Sequence, residues 1–343
     1  MSKKSKNFFI KNYLKKIRNI SLITLFSLSL ISCDNTSSTT GTKPVSSPTP
    51  ISFCSNWVEQ KSPIDRELTA VDFIDEKMGW AVSDINELGG AILKTTDGGQ
   101  NWLVANNAQE FLSDIDFVNK DLGWTVGYYG TINKTNDGGA TWQNVRLGQE
   151  NDVLNSLFFI DEMKGWVVGS NGQILKTLDG GTTWEKVDLK IVDDLWRVRF
   201  LSEREGWIVG EEGIILNTID GGQNWQRLQS GVDVAFFDVW PIDSNNIWAV
   251  GLGGTLLNST DKGITWQKQT TGVEASLFRS INFVDTSRGF IVGRPGLLLC
   301  TIDGGKTWEK VALPKKYDLT GLKVLSSGRA WIVGRRGYIL AHR

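Results

Sequence analysis

Six copies of the signature Thr/Ser-x-Asp-x-Gly-x-x-Trp recur along the 343 residues at nearly constant spacing. Their aspartates are Asp97, Asp137, Asp179, Asp220, Asp261 and Asp303, separated by 40, 42, 41, 41 and 42 residues. A period of this length marks a chain built from copies of one supersecondary unit, so the repeat has to be read before any single motif. A second element occurs seven times. It is the pair Gly79-Trp80, Gly123-Trp124, Gly165-Trp166 and Gly206-Trp207, with the variants Ile247-Trp248, Gly289-Phe290 and Ala330-Trp331.

Each unit reads as four short strands. Strand a is typified by Leu112-Ser-Asp-Ile-Asp-Phe117, strand b by Gly123-Trp-Thr-Val-Gly127, strand c by Thr131-Ile-Asn-Lys-Thr135 and strand d by Trp142-Gln-Asn-Val145. Runs this short, rich in β-branched and aromatic residues and bounded by Gly, Asn and Asp, are strand signals. Four strands in some forty residues make a propeller blade, and the expected fold is an all-β, seven-bladed β-propeller over residues 52–343. The 37 glycines against 7 prolines agree with many tight turns. The chain ends one residue short of a seventh Asp turn, whereas Phe53-Cys-Ser-Asn-Trp57-Val-Glu59 supplies a seventh strand-d tryptophan at the other end. The N-terminal strand is therefore expected to complete the last blade, which closes the ring and leaves no raw sheet edge.

Residues 1–32 read as an address. Seven basic residues and no acid precede an apolar run from Ile20 to Ile31, too short to span a bilayer comfortably but suited to a signal peptide. The run ends in Leu30-Ile31-Ser32-Cys33, which looks like a bacterial lipobox, so Cys33 is the expected lipidation site. Two or three acyl chains would hold the protein on a membrane stably. Residues 33–51 are Ser-, Thr- and Pro-rich with almost nothing to bury, and read as a flexible lipidated tether. The expected location is extracytoplasmic, on the periplasmic or thylakoid-lumenal side of a membrane. Without the leader, 30 basic residues face 38 acidic ones, a net charge of −8 that gives no general reason to bind nucleic acid.

The six aspartates invite a catalytic reading, but residues repeated around a ring are structural. A short carboxylate in a hairpin turn accepts hydrogen bonds from the amides of its own turn. The glycine two residues later is present in all six copies, as expected where φ is positive. The preceding glycine is Lys262 in the fifth copy, so that position is expected to be less demanding. The pattern is the Asp box, or BNR repeat, of sialidases and other propellers. The fuller form in residues 165–184, Gly-Trp-Val-Val-Gly-Ser-Asn-Gly-Gln-Ile-Leu-Lys-Thr-Leu-Asp-Gly-Gly-Thr-Thr-Trp, resembles the photosystem II stability and assembly factor-like family. That resemblance covers residues 52–343. It implies a non-enzymatic propeller lipoprotein that binds a membrane-protein client or assembly intermediate through a basic surface patch.

Other chemistry finds little support. A sialidase needs an arginine triad with a Tyr–Glu nucleophile pair. Arg197, Arg199 and Arg279 lie near strand a, but five tyrosines give no such pair. A single histidine, His342, makes neither a metal site nor a persuasive general base. No catalytic residue, metal or cofactor is expected. Two thiols outside the cytoplasm invite a disulfide between Cys54 and Cys300, but their peripheral positions on different blades favour separate thiols, with the disulfide as the alternative.

In a propeller the b–c and d–a loops share one face. On that face Arg294 and Arg335-Arg336 occupy the b–c turns of blades six and seven, Lys315-Lys316 the loop between them, and Arg279 opens strand a of blade six. These six basic residues in an acidic body are the candidate binding patch for an acidic segment, because arginine captures carboxylates bidentately. The expected function is a membrane-anchored scaffold or assembly factor, acting as a monomer. The alternatives are a carbohydrate-binding propeller using exposed Tyr128 and Tyr129, and a degenerate sialidase-like glycosidase.

Overall fold

The computed structural model describes residues 53–84, 89–108, 110–146, 152–273 and 277–343. Cys33 and the segments 1–32 and 34–51 lie outside the described residues. The unit from Asn56 to Arg343 is a seven-bladed propeller of four-stranded antiparallel sheets. Blade two has strand a at Leu112–Phe117, b at Gly123–Gly127 and c at Thr131–Thr135, where the sequence places them. Its strand d is Gln143–Arg146, one residue later than expected because Trp142 belongs to the turn. The closing strand Trp57–Gln60 pairs with Ile339–His342, from Trp57 opposite His342 to Gln60 opposite Ile339. The first and last segments of the propeller thus share blade seven.

Aromatic contacts make the seams between blades. The strand-b tryptophan of one blade stacks on the phenylalanine ending strand a of the next. Trp80 lies 3.5 Å from Phe117, Trp124 3.5 Å from Phe159, Trp166 3.7 Å from Phe200, and Trp331 3.6 Å from Phe73. Such pairs contribute about 0.5–1.5 kcal/mol each beyond the area they bury. The strand-d tryptophan meets the same phenylalanine edge-on, as Trp102 does Phe73 at 5.7 Å. The indole N–H of Trp80 donates to the Gly138 carbonyl at 3.0 Å, and Trp331 to that of Gly98 at 3.1 Å, so each reaches the Asp turn of the following blade.

The glycine before each strand-b tryptophan has a steric cause. A Cβ on Gly79 would lie 2.4 Å from the ring of Phe73, its cross-strand partner. Where strand a ends in Pro241 or Val324 instead, the partner becomes Ile247 or Ala330. The variants of the seven-fold dipeptide are therefore compensations within a blade.

The Asp turns behave as structural devices. In the second copy Asp137 accepts the Thr141 amide at 2.8 Å, the Thr141 hydroxyl at 2.6 Å and the Thr135 hydroxyl at 2.8 Å, while the Gly139 amide donates to Thr135 Oγ1. Asp97, Asp179, Asp220, Asp261 and Asp303 accept the equivalent amide at 2.8–2.9 Å. These donors hold the Asp137, Asp179, Asp220 and Asp303 carboxyls down at about 2. The invariant glycine has φ between 77° and 90° in all six copies, and at Gly305 a Cβ would also strike Trp248 at 2.4 Å. Lys262 has φ 67°, so the preceding position is left-handed too and is tolerated by lysine, not relaxed.

Of the two states left open for the thiols the less favoured one is found: Cys54 and Cys300 are disulfide-bonded. Cys300 lies inside strand c of blade six, opposite Phe290, rather than in the peripheral turn the spacing implied. Trp57 packs edge-on against that same Phe290 at 5.2 Å, so the closing strand lies against blade six as well as blade seven.

Candidate partner-binding face and central channel

The seven strands a line a central channel, and in several of them the inward positions carry charge. Strand a of blade four (Leu195–Phe200) supplies Arg197 and Arg199, and that of blade five (Phe236–Pro241) supplies Asp238. Arg197 meets Asp114 at 2.8 Å, while Arg197 and Arg199 both approach Asp238 Oδ1 at 3.3 Å. Lys323 pairs with Asp72 at 2.6 Å. The carboxylates also tie neighbouring blades together. Asp72 accepts the Phe117 amide at 2.8 Å, Asp116 the Phe159 amide at 2.7 Å, and Asp238 the Ile281 amide at 3.1 Å. An inner edge strand has backbone donors without a sheet neighbour, and these side chains satisfy them.

A cavity of only about 80 Å³ remains between these groups. Arg197 and Arg199 are committed to aspartates, and Arg279 lies against the rings of Trp196 at 5.7 Å and Phe237 at 5.1 Å. They do not form a triad open to a sugar carboxylate. The sequence shows these arginines but not the aspartates they face. The missed signal was charge at alternate positions of strand a, as in Asp114-Ile-Asp116 and Arg197-Val-Arg199.

Burial, reinforced by the neighbouring Asp72 carboxylate and opposed by Lys323, pushes the Asp116 carboxyl up to about 7. A carboxyl raised in the fold favours the folded state when protonated, and that advantage is lost as pH rises through the folded value. Asp116→Asn keeps an acceptor for the Phe159 amide and removes the charge. It is expected to stabilise the protein by about 2 kcal/mol near pH 8, with the gain shrinking as pH falls below about 7 and disappearing only below about pH 4, the unfolded value. Thermal denaturation of both proteins across this pH range measures this.

The b–c turns form the outer part of one face, held by a repeated backbone frame. The first turn residue donates to the residue preceding strand a of its own blade, as Arg335 does to the Asp318 carbonyl at 2.9 Å. The second turn residue is left-handed in Tyr129, Asn171, Glu212, Gly253 and Arg336. Glycine or asparagine adopts this conformation with least strain, so arginine at position 336 is held there at a cost.

Five of the six predicted basic residues are brought to this sector, from Arg294 in blade six to Arg336 in blade seven. Lys315, Lys316, Arg335 and Arg336 are exposed. Arg336 lies 5.7 Å from the ring of Tyr317, which meets Tyr338 edge-on. The sixth, Arg279, packs on aromatic rings as described above. The sector is also less purely basic than the sequence implied. Arg294 pairs with Glu67 at 2.9 Å and approaches Asp318 at 3.6 Å. Arg335 reaches the same two acids at 3.9 and 3.6 Å, and Lys315 pairs with Glu59 at 2.5 Å. Glu67 and Asp318 directly precede two strands a, positions that sequence distance separates by 251 residues and ring closure brings together. Asp84 stands nearby, its carboxyl pushed up to about 6 by burial and by Glu67, against the pull of Arg66 and Arg335. The result is an inner layer of shared ion pairs beneath an outer rim of Lys316, Arg335 and Arg336, with tyrosine rings below.

The exposed aromatic platform expected at Tyr128 and Tyr129 is absent. Both rings are buried, 2% and 5% exposed, and Tyr128 stacks on Phe111 at 4.4 Å. A turn tip rich in tyrosine is legible in the sequence; that the rings fold inward onto the d–a loop is not.

A family model described as "Photosynthesis system II assembly factor YCF48" matches residues 103–158, 141–233 and 228–341. No curated protein matches the sequence. Among solved structures, YCF48 from Cyanidioschyzon merolae is 19% identical with a TM-score of 0.71, covering 84% of this chain and 99% of its own. A structure of YCF48 bound to D1 peptide is 20% identical at TM-score 0.71, covering 84% and 97%. A streptogramin B lyase superposes at TM-score 0.73 with 13% identity, covering 85% and 99%. At these identities the structural likenesses establish the shared fold alone.

Proposed function

The chain belongs to the photosynthesis system II assembly factor YCF48 family, and we propose that it is a membrane-anchored scaffold whose cationic sector captures an acidic segment of a membrane-protein client. The solved relative is YCF48 bound to D1 peptide, which supports a peptide segment of a membrane protein as the client. The observation that carries this reading is the exposed rim of Lys316, Arg335 and Arg336 over Tyr317, with Arg336 retained in a left-handed turn position. Glu67 and Asp318 hold the guanidinium groups of Arg294 and Arg335 in place before a partner arrives, which lowers the ordering cost of binding. Lipid at Cys33 keeps the propeller on the extracytoplasmic surface of the membrane that contains the client. The scaffold performs no catalysis in this reading, although the propeller fold itself also serves enzymes such as the lyase above.

The test is a titration of a labelled acidic peptide, with the D1 peptide of the solved relative as a second probe. Arg335→Glu with Arg336→Glu is expected to weaken binding by about tenfold or more, chiefly through faster dissociation and lost steering. Arg336→Gly relieves the left-handed strain, so it is expected to leave thermal stability equal or slightly higher while still weakening the peptide. Unchanged affinity in both variants would remove the sector from the account.

A further inference from the structure

Exposed aliphatic side chains are distributed unevenly between the two faces. Leu178, Ile219, Ile264 and Ile302 are 60%, 67%, 71% and 59% exposed, and all four sit on Asp turns. They come from four consecutive blades, three to six. Leu178, Ile219 and Ile302 occupy the residue just before the aspartate, where blades one, two and five have Thr96, Asn136 and Thr260. Met163, 51% exposed, adds to the same rim from the a–b turn of blade three. On the opposite face the one large exposed aliphatic among the described residues is Val192. The aspartate network fixes each turn without using these side chains, so the fold has no need of them.

The chain joins the propeller on this rim. Trp57 begins the closing strand opposite His342, at the end of the blade that carries the Asp turns elsewhere in the ring. Exposed Lys262 and Lys306 flank Ile264 and Ile302 on blades five and six. Aliphatic tips match the boundary between headgroups and acyl chains, and the lysines beside them offset part of the negative charge of the Asp turns.

We propose that the Asp-turn rim of blades three to six rests on the bilayer, inserting these aliphatic side chains among the headgroups. The cationic sector on the other face then points away from the lipid, toward the aqueous segments of the client. This orientation builds on the anchored-scaffold reading. The run of about 23 residues from Cys33 to Asn56 spans at most ~80 Å, so the anchor keeps the propeller near the membrane without choosing a face. Tethering raises the effective concentration of the rim at the surface enough for a few shallow insertions to set the orientation.

The experiment uses the chain from Cys33 onward, joined at Cys33 to a maleimide lipid in vesicles of phosphatidylcholine with a minority of phosphatidylglycerol. Cys54 and Cys300 are disulfide-bonded and leave that thiol free to couple. A photoreactive benzophenone residue replaces Ile219 or Ile302, and in separate proteins Glu212 or Arg336. Lipid adducts at 219 and 302 are expected to exceed those at 212 and 336 by about tenfold, and Ile219→Ser with Leu178→Ser is expected to reduce adducts at 302. Equal adducts on both faces, or more at 336, would overturn the proposal. Because the lipid is supplied chemically, this result stands apart from the anchor itself, which mass analysis of the Cys33 peptide from native membranes tests separately.

Discussion

Asp238→Ala is expected to destabilise the propeller by about 3–5 kcal/mol, the loss characteristic of removing one partner from a buried charged cluster. Asp238 is fully buried and accepts the Ser280 hydroxyl at 2.7 Å and the Ile281 amide at 3.1 Å while facing two arginines. Burial alone would push its carboxyl up, yet Arg199 and Arg197 outweigh burial and hold it below the ordinary range. A lowered carboxyl contributes stability above its unfolded value and loses it as pH falls through the folded one. The alanine variant leaves two guanidinium groups and an inner-strand amide without their shared acceptor. Asp238→Asn preserves part of the hydrogen bonding and should lose less. Denaturant unfolding gives both numbers, and equal stability of wild type and Asp238→Ala would show that the channel charges do not hold the blades together.

Removing the closing strand should have the larger consequence. A chain beginning at Lys61 loses the four-residue pairing with Ile339–His342 and exposes that strand as an open edge. It also loses Gln60, whose side-chain amide donates to the Gly98 carbonyl at 2.8 Å and whose oxygen accepts the Trp102 indole N–H at 3.0 Å. Gln60 is thus a seam between blades seven and one as well as part of blade seven. The expected outcome is a chain that fails to fold cooperatively and aggregates, whereas a chain beginning at Phe53 unfolds like the full protein. Cooperative, monomeric unfolding of the shorter chain would mean that six blades and a three-stranded remnant suffice.

Both predictions bear on how much the sequence disclosed. The repeat fixed blade number, strand order and closure because each blade must place the same apolar positions in the same seam. Even the exceptions obey that constraint, since Ile247 and Ala330 replace glycine where Pro241 and Val324 replace phenylalanine. The Asp turns were legible for the same reason, with the left-handed Lys262 as the position whose demand was understated. The binding sector was legible only in its basic members. Glu59, Glu67 and Asp318 reach it through ring closure, which brings together residues that sequence proximity keeps far apart. The channel charges escaped because a strand of alternating charge and aliphatic residues reads as half exposed, whereas a propeller encloses the charged side. Tyr128 and Tyr129 failed in the opposite sense, since polar-tipped aromatics at a turn can equally fold inward.

The central claim is that the face bearing Arg335 and Arg336 holds a membrane-protein client. The most direct measurement is a pull-down of the tagged protein from gently solubilised native membranes, wild type beside Arg335→Ala with Arg336→Ala, with eluted proteins identified by mass spectrometry. The account predicts a membrane protein recovered with the wild type and lost from the variant. The same client recovered equally with both, or no protein client with either, would contradict it.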